Sequence, residues 1–285
     1  MKIAITGATG LIGSALSETL SKLHEITPLK RIQEIKYEKS SLEGQEVIIH
    51  LAGENIGNKR WSDTQKRKIK ESRILSTQYL CETILSLKTP PRIFICASAM
   101  GYYGDRGLET LTEESKPGNT FLSEVVQAWE KQTDLLKTAP IRILNLRFGL
   151  VLSKKGGALA RMLPIFRMGL GGAVGNGNQM ISWIALDEIP KIIQFLIDHP
   201  EISGPVNIVS PEAISNKNFS KTLATVLRRP CIFPVPALVI NLFLGQMGKE
   251  LLLASTNILP LKLLDTKYPF QFEHLEEALK FILKS

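Results

Sequence analysis

Three regularly spaced glycines near the start of the chain could bind the phosphates of a nucleotide. Gly7, Gly10 and Gly13 lie three residues apart, between an apolar run at 3–5 and a segment of helical periodicity at 11–20. In such a strand–turn–helix, the first glycine permits a tight turn, the second lets backbone approach a pyrophosphate, and the third lets the helix pack. The helix N-terminus adds N–H groups and partial positive charge. The pattern predicts a dinucleotide site; a turn that only joins strand to helix is the alternative.

A pair of cations follows the second predicted strand, residues 25–29. Where this fold binds NAD, an acidic residue about 20 positions beyond the glycines holds the ribose 2′-hydroxyl. No acidic residue occurs from 26 to 33, and Lys30 and Arg31 stand at that place instead. Two cations suit a 2′-phosphate, so the sequence predicts NADP as cofactor. The alternative is that both side chains simply face solvent after a strand.

The remaining pattern supplies the elements that must position these residues. Apolar runs predict strands at 47–51, 93–97, 141–148 and 206–209, and periodic apolar positions predict helices at 62–87, 121–136, 159–166 and 187–198. This alternation predicts an α/β fold, a Rossmann-type doubly wound parallel sheet. We expect an NADP-binding domain over 1–150 and a smaller, mostly helical substrate lobe over 151–285, partly returning to the sheet. Glycine-rich loops within 156–177 are typical of a substrate pocket.

Two further features of the predicted elements indicate ligand contact. The strand at 47–51 ends in a small-residue turn that includes Gly53 and Glu54, which would let backbone approach a ligand. Arg73 falls among the apolar positions of the helix at 62–87, and a partner anion would explain it. His50 and Trp183 have no such pattern, and for them packing in the core is the expected role.

Composition narrows the function classes. The net charge is +8, which could attract nucleic acid, an anionic membrane or a charged cofactor, but the densest basic stretch, 66–73, has no interleaved aromatic residue. We therefore expect a small-molecule substrate and no nucleic-acid partner. The three cysteines are scattered, which favours neither a metal site nor disulfides and suits a reducing cytoplasm. With no leader and no apolar run of about 20 residues, we expect a cytoplasmic protein without a membrane partner. Nothing predicts an oligomeric state.

Several long motifs carry a family resemblance: TGATGLIG at 6–13, LAGENI at 51–56, GYYGD at 101–105, MLPIFRMGLGG at 162–172 and SWI at 182–184. With them, essentially the whole chain resembles the extended short-chain dehydrogenase/reductase superfamily. It is most similar to the epimerase-family branch related to bacterial YfcH, whose C-terminal domain, here about 234–285, has no assigned function. That branch usually has histidine after SWI, whereas this chain has Ala185.

The resemblance implies a set of cofactor contacts that overlaps the residues already singled out. Together with the turn residues Gly53 and Glu54, the expected cofactor-binding residues are Gly7, Ala8, Thr9, Gly10, Leu11, Ile12, Gly13, Lys30, Arg31, Leu51, Ala52 and Arg73.

The superfamily's proton-transfer pair is missing from this chain. Its chemistry normally uses a tyrosine and a lysine four residues later on one helix face, with a serine that hydrogen-bonds the substrate oxygen. No tyrosine here is followed by lysine at that spacing, and Phe121 and Val125 stand at the corresponding positions. Neither side chain can transfer a proton.

Two hypotheses follow. In the first, the protein is a reductase or an epimerase-type oxidoreductase that acts on a small carbonyl or hydroxyl substrate. Ser98 polarises a substrate oxygen, and Tyr102 or Tyr103 donates the proton while NADPH delivers hydride. An unassisted phenol with a pKa of about 10 is a poor base, so this arrangement favours carbonyl reduction. Both tyrosines could instead pack beside the cofactor and shape the pocket. In the second hypothesis, the protein binds NADP without turnover, as a redox sensor or regulatory module.

Overall fold

The computed structural model describes residues 1–32 and 35–284. Its strands are β1 (Lys2–Thr6), β2 (Glu25–Leu29), β3 (Val47–His50), β4 (Ile93–Ala99), β5 (Thr110–Leu111), β6 (Arg142–Phe148), β7 (Leu150–Leu152), β8 (Met180–Ile181), β9 (Trp183–Ala185), β10 (Gly204–Ile208), β11 (Ile214–Ser215) and β12 (Asn257–Ile258). The α-helices are α1 (Leu11–Leu20), α2 (Asp63–Leu85), α3 (Phe121–Gln132), α4 (Gly157–Arg167), α5 (Ile189–Asp198), α6 (Asn216–Leu227), α7 (Ala237–Leu244), α8 (Gln246–Gly248), α9 (Leu261–Asp265) and α10 (Leu275–Lys284).

Six strands form the main sheet, in the order β10-β6-β4-β3-β1-β2. β1 pairs in parallel with β2 and β3, and β3 pairs in parallel with β4. The segments that follow β1, β2, β3 and β4 therefore leave the sheet at one edge. The chain order also reverses at β1, which lies between β2 and β3, and such a switch point is where open α/β sheets bind ligands. The expected Rossmann-type sheet is confirmed.

Several predicted elements are found with small shifts at their ends. Serine is a preferred N-cap residue, so Ser62 predicts the start of the helix expected at 62–87. In the structure its hydroxyl caps α2 by accepting a hydrogen bond from the Gln65 backbone N–H at 3.2 Å. The helix expected at 121–136 is α-helical to Gln132 and continues as a 3-10 helix over Thr133–Thr138. The segment between β2 and β3 is polar and shorter than a complete strand–helix unit. Its described residues form a 3-10 turn, Lys39–Ser41, and an isolated antiparallel bridge between Arg31 and Tyr37. Gln33, the last residue of the stretch 26–33 that contains no acidic residue, lies outside the described residues, as does Glu34.

The chain forms two compact units made of interleaved segments. Unit 1 comprises residues 1–99, 124–147 and 189–206, and unit 2 comprises 100–123, 148–188 and 207–285. The sequence-based division near residue 150 is linear, whereas these units exchange segments five times along the chain. Thus α5 belongs to unit 1, while the GYYGD motif belongs to unit 2.

Each unit has its own apolar core. In unit 1, the strand residues Ile3, Ile5 and Ile49 are fully buried, and α1 packs against α5. In unit 2, one core cluster joins α4, α6 and α10 around Trp183, which is completely buried. The expected packing role of Trp183 agrees with this position. None of the helices in the described ranges combines the length and apolar character needed to cross a membrane.

Candidate functional site

The glycine turn after β1 leaves no room for side chains where the sequence predicts a phosphate. Gly7 has a φ of +69°, and the Gly10 N–H donates to the Gly7 carbonyl at 3.0 Å. A Cβ on Gly13 would lie only 2.2 Å from the Gly7 oxygen, so α1 can approach the turn only without one. Gly10 occupies the N-cap of α1 and offers no side chain to its first N–H groups, and the first turn has no acidic residue. This end of α1 suits an anion.

The turn after β3 is fastened to the end of β1 by Thr6. The Thr6 hydroxyl oxygen accepts from the backbone N–H groups of Leu51 and Ala52 at 3.1 and 3.3 Å, and lies 2.7 Å from Nδ1 of His50. A Cβ on Gly7 would meet this turn's backbone at 3.0 Å. The structure therefore brings the glycine turn and the Leu51–Ala52 turn together, as the resemblance implies.

His50, which contacts the Thr6 hydroxyl, is a neutral side chain at physiological pH. It is completely buried, and burial together with the nearby Arg31 charge lowers its pKa to about 3. The packed role that the sequence predicts for His50 is confirmed.

Arg73 lies over the same turn. Its guanidinium carbon would be 3.3 Å from a Cβ on Gly53, and it sits 5.2 Å from the ring centroid of Trp129. Its Nη1 donates to the Ile69 carbonyl at 3.1 Å. Burial lowers the Arg73 pKa to about 10, so the group stays cationic at neutral pH. The Glu54 carboxylate acts in the opposite direction and raises the Arg73 pKa, but within the described ranges Arg73 forms no salt bridge. The guanidinium could therefore also face a bound anion.

Glu54 is hydrogen-bonded to two residues of α2. Its Oε1 accepts from Nε2 of Gln65 at 3.1 Å, and its backbone N–H donates to the Ser72 hydroxyl at 3.0 Å. These bonds fix the backbone of the turn that begins at Leu51. Lys30 and Arg31 follow β2 at the same sheet edge, and both are exposed.

Ser98, at the end of β4, is part of a buried polar group. Its hydroxyl donates to Oε1 of Glu130 at 2.5 Å, and Glu130 forms a two-point ion pair with Arg147, with Nε to Oε1 and Nη2 to Oε2 both at 2.8 Å. Ser98 and Arg147 are almost fully buried. Because its hydroxyl hydrogen is directed at Glu130, Ser98 presents lone pairs rather than a donor to any other group in this geometry.

Tyr103 packs within the core of unit 2 and uses its hydroxyl in a hydrogen bond there. Its side chain is fully buried, and its hydroxyl donates to Oδ1 of Asn207 at 2.6 Å. Asn207 in turn donates from Nδ2 to the Leu259 carbonyl at 2.9 Å and from its backbone N–H to Glu113 at 3.0 Å. This is the geometry that a packing role requires.

Tyr102 differs from its neighbour in exposure. It is half-buried, and its ring meets the Tyr103 ring edge-on with centroids 5.2 Å apart. Its carbonyl accepts from the Gly118 N–H at 2.9 Å, and the Ser123 hydroxyl donates to the Gly101 carbonyl at 2.9 Å. The GYYGD loop is thereby fixed against the start of α3.

The start of α3 carries a cap that the sequence analysis missed. Glu250 accepts from the backbone N–H groups of Phe121 and Leu122 at 3.3 and 2.9 Å. A carboxylate at a helix N-terminus satisfies free donors and complements the helix dipole. Val125, four residues after Phe121, is buried. The helix expected to hold the tyrosine–lysine pair is thus present, with apolar side chains at both places.

Sequence reasoning also missed Thr6, Glu130, Arg147 and Asn207, which hold predicted site residues in place. A polar residue inside an apolar strand run was the available signal for Thr6, Arg147 and Asn207; nothing marked Glu130 on its helix. Among the described residues, no cluster of His, Cys, Asp and Glu could hold a metal ion.

Comparison with known proteins identifies the family. The model of the NAD dependent epimerase/dehydratase family matches residues 3–209, and that of a domain of unknown function, DUF1731, matches residues 235–282. The chain therefore belongs to the NAD dependent epimerase/dehydratase family. The resemblance to the epimerase branch of the extended short-chain dehydrogenases/reductases is confirmed.

Three similar proteins extend over nearly the whole chain. Epimerase family protein ML0860 of Mycobacterium leprae is 30% identical over 292 residues, covering 98% of this chain and 94% of that protein. The chloroplastic SDR39U1 homolog of Arabidopsis thaliana is 32% identical over 305 residues, covering 100% and 87%. The crystal structure of human epimerase family protein SDR39U1 with NADPH has a TM-score of 0.93 and 31% identity, covering 100% of both chains.

Proposed function

We propose that this chain binds NADP(H) at the carboxyl ends of β1, β2 and β3 and reduces a small carbonyl substrate. The observation that carries the cofactor choice is the pair Lys30–Arg31, which follows β2 where NAD binding would require a carboxylate. The likeness to the human SDR39U1 structure with NADPH supports the same choice. Family membership supports dinucleotide-dependent chemistry in general.

The described residues fit such a cofactor. The turn from Gly7 to Gly13 would receive the pyrophosphate, since a Cβ at Gly13 is excluded and the N-terminus of α1 lies beside it. Lys30 and Arg31 would hold the 2′-phosphate. The turn of Leu51, Ala52, Gly53 and Glu54 would line the cofactor with backbone, and Arg73 would add a cation from above Gly53.

The proposed chemistry places one proton and one hydride on a carbonyl group. When bound, the reduced nicotinamide supplies the hydride. Tyr102 donates its phenolic proton to the substrate oxygen, so that the carbonyl becomes an alcohol. Ser98 can donate a hydrogen bond to that oxygen only if its hydroxyl turns away from Glu130, its acceptor in this structure. Tyr103 keeps the loop in place through Asn207.

The decisive experiment mixes the protein with NADPH and a broad panel of aldehydes and ketones and follows NADPH absorbance. Tyr102→Phe should abolish most of any turnover without weakening NADPH binding, whereas Tyr103→Phe should lower stability more than rate. If wild type and the single and double variants reduce every active carbonyl equally fast, the proton-donor assignment fails. NADPH binding itself is measured separately by calorimetric titration.

A catalytically silent NADP-binding protein is the second candidate. It is favoured by Phe121 and Val125 at the places of the proton-transfer pair, and by the Ser98 hydroxyl bonded to Glu130. This candidate predicts tight NADPH binding with no consumption on any carbonyl. A difference in hydrogen exchange between the NADPH-bound and NADP⁺-bound protein would then identify the surface that reports redox state.

A further inference from the structure

Unit 2 leaves an unusual concentration of large apolar side chains exposed. Two short segments, 165–170 and 232–243, hold nine of them, which together we term the apolar face. Its members are Ile165, Met168, Leu170, Ile232, Phe233, Leu238, Val239, Leu242 and Phe243. Soluble proteins rarely expose apolar side chains in such groups unless the surface binds something.

The two segments lie side by side. The Phe233 N–H donates to the Gly171 carbonyl at 3.3 Å, and the Val235 N–H donates to the Ala173 carbonyl at 2.8 Å. Closer to α4, a Cβ on Gly169 would lie 3.2 Å from the ring of Pro230. The exposed residues around 168–170 and 232–233 therefore belong to one surface.

Helix α7 extends this surface with an outward side that is mostly apolar. Leu238 and Leu242 are one helical turn apart and are 78% and 70% exposed, and Val239 and Phe243 form a second exposed pair. Ile240 is buried and attaches the helix to unit 2, where its side chain lies against Gly248. In an isolated soluble domain, burial of one stripe would leave a polar opposite side.

Both segments lie in stretches of the chain that contain basic and no acidic residues. No acidic residue occurs between Asp134 and Asp187, or between Glu212 and Glu250, the stretches that contain both segments. Arg167 and Arg229 are exposed at the edges of the face, and within the described ranges neither has a salt bridge. An apolar centre with unneutralised arginines at its margin complements a surface that is apolar below and anionic above.

We infer that the apolar face docks the protein peripherally on a bilayer that contains anionic lipid. The leucines and phenylalanines would enter the headgroup–acyl boundary while the arginines contact lipid phosphates. A second copy of this chain is a poorer occupant, because two such faces would bring like charges together. The inference goes beyond the proposed function, and it departs from the expectation of no membrane partner, which rested on the absence of an apolar spanning run.

The test is flotation of the full-length protein with vesicles of pure phosphatidylcholine, and with vesicles in which about one third is phosphatidylglycerol. Wild type should float with the anionic vesicles and not with the neutral ones. Leu238→Gln/Leu242→Gln should lower the bound fraction about tenfold, because it removes two exposed apolar side chains without leaving a core cavity. Arg167→Gln/Arg229→Gln should weaken binding roughly fivefold per arginine.

Matched controls use residues of the same type elsewhere. Leu108→Gln replaces a leucine that is 73% exposed outside the apolar face, and Arg67→Gln/Lys68→Gln removes two exposed charges from α2. Both should bind like wild type, and thermal melts check that all variants fold. The inference is overturned if wild type binds neither vesicle, if it binds both equally, or if the leucine variant binds as well as wild type. It is also overturned if sedimentation shows a wild-type dimer that the leucine variant makes monomeric.

Discussion

The Ser98 hydroxyl donates a hydrogen bond to Glu130, and the same carboxylate neutralises the buried Arg147. One side chain on α3 thus joins the ends of β4 and β6. Removing its charge should expose the cost of burying an unpaired arginine. Glu130→Gln should lower the free energy of unfolding by about 3 kcal/mol, and Ser98→Ala by about 1 kcal/mol.

Chemical denaturation of the variants measures this difference. Glu276→Gln is the control, because Glu276 pairs with Lys280 on the surface and such pairs contribute less than about 1 kcal/mol. Equal losses for Glu130→Gln and Glu276→Gln would contradict a structural role for the buried pair.

Arg31 should decide between the two nicotinamide cofactors. Arg31→Ala removes a charge-assisted contact to the 2′-phosphate, so the Kd for NADPH should rise tenfold or more while the Kd for NADH stays the same. Calorimetric titration with each cofactor measures the change. Arg92→Ala is the control, since Arg92 is an exposed arginine just before β4, at the opposite edge of the sheet. Equal losses for NADPH and NADH would remove the 2′-phosphate argument.

Alanine substitutions at two glycines of the turn should have different effects, one on stability and the other on NADPH binding. Gly13→Ala places a Cβ 2.2 Å from the Gly7 oxygen, a backbone clash that should lower the free energy of unfolding by about 2 kcal/mol or more. In Gly10→Ala the Cβ would be 3.3 Å from that oxygen at a φ of −75°, so the fold should hold. Gly10→Ala should nevertheless weaken NADPH binding, because the methyl group occupies the phosphate approach. Unchanged NADPH affinity in Gly10→Ala would place the pyrophosphate elsewhere.

His50 should make stability depend on pH. Its pKa is lowered from 6.5 to about 3 in the folded protein, so the unfolded chain binds more protons between these values. The free energy of unfolding should therefore be greatest above pH 6.5 and fall by up to about 1.4 kcal/mol per pH unit below it. Denaturant titrations from pH 7 to 5 should show a smaller slope for His50→Gln. His274→Gln, at an exposed histidine whose pKa Glu212 raises, should not reduce that slope; a reduction equal to that of His50→Gln would contradict the assignment.

Local sequence patterns predicted the parts of the fold that depend on near neighbours. The β1 strand, the glycine turn and α1 lie within 20 residues, and Ser62 caps α2 through a residue three positions away. The proposal that Lys30 and Arg31 bind the cofactor rests on the same kind of local pattern. Parallel strand order then brought the turns together at one sheet edge.

Contacts between residues far apart in the chain could not be predicted from the sequence. Tyr103 and Asn207 are 104 positions apart, and no spacing rule connects a tyrosine in a glycine-rich loop with an asparagine in a strand. The two tyrosines of the GYYGD motif consequently looked equivalent in the sequence. Ser98 likewise gave no sign that its proton would be bonded to Glu130, 32 positions away.

The Glu250 cap links the two stretches of the chain that match different family models. Glu250 lies in the stretch matched by the domain of unknown function, yet it closes the first turn of α3, within the stretch matched by the epimerase family. Deleting 235–285 would leave the N–H groups of Phe121 and Leu122 without their acceptor. Residues 235–285 therefore supply a helix cap to the stretch matched by the epimerase family, and a fragment that ends near residue 235 lacks that cap.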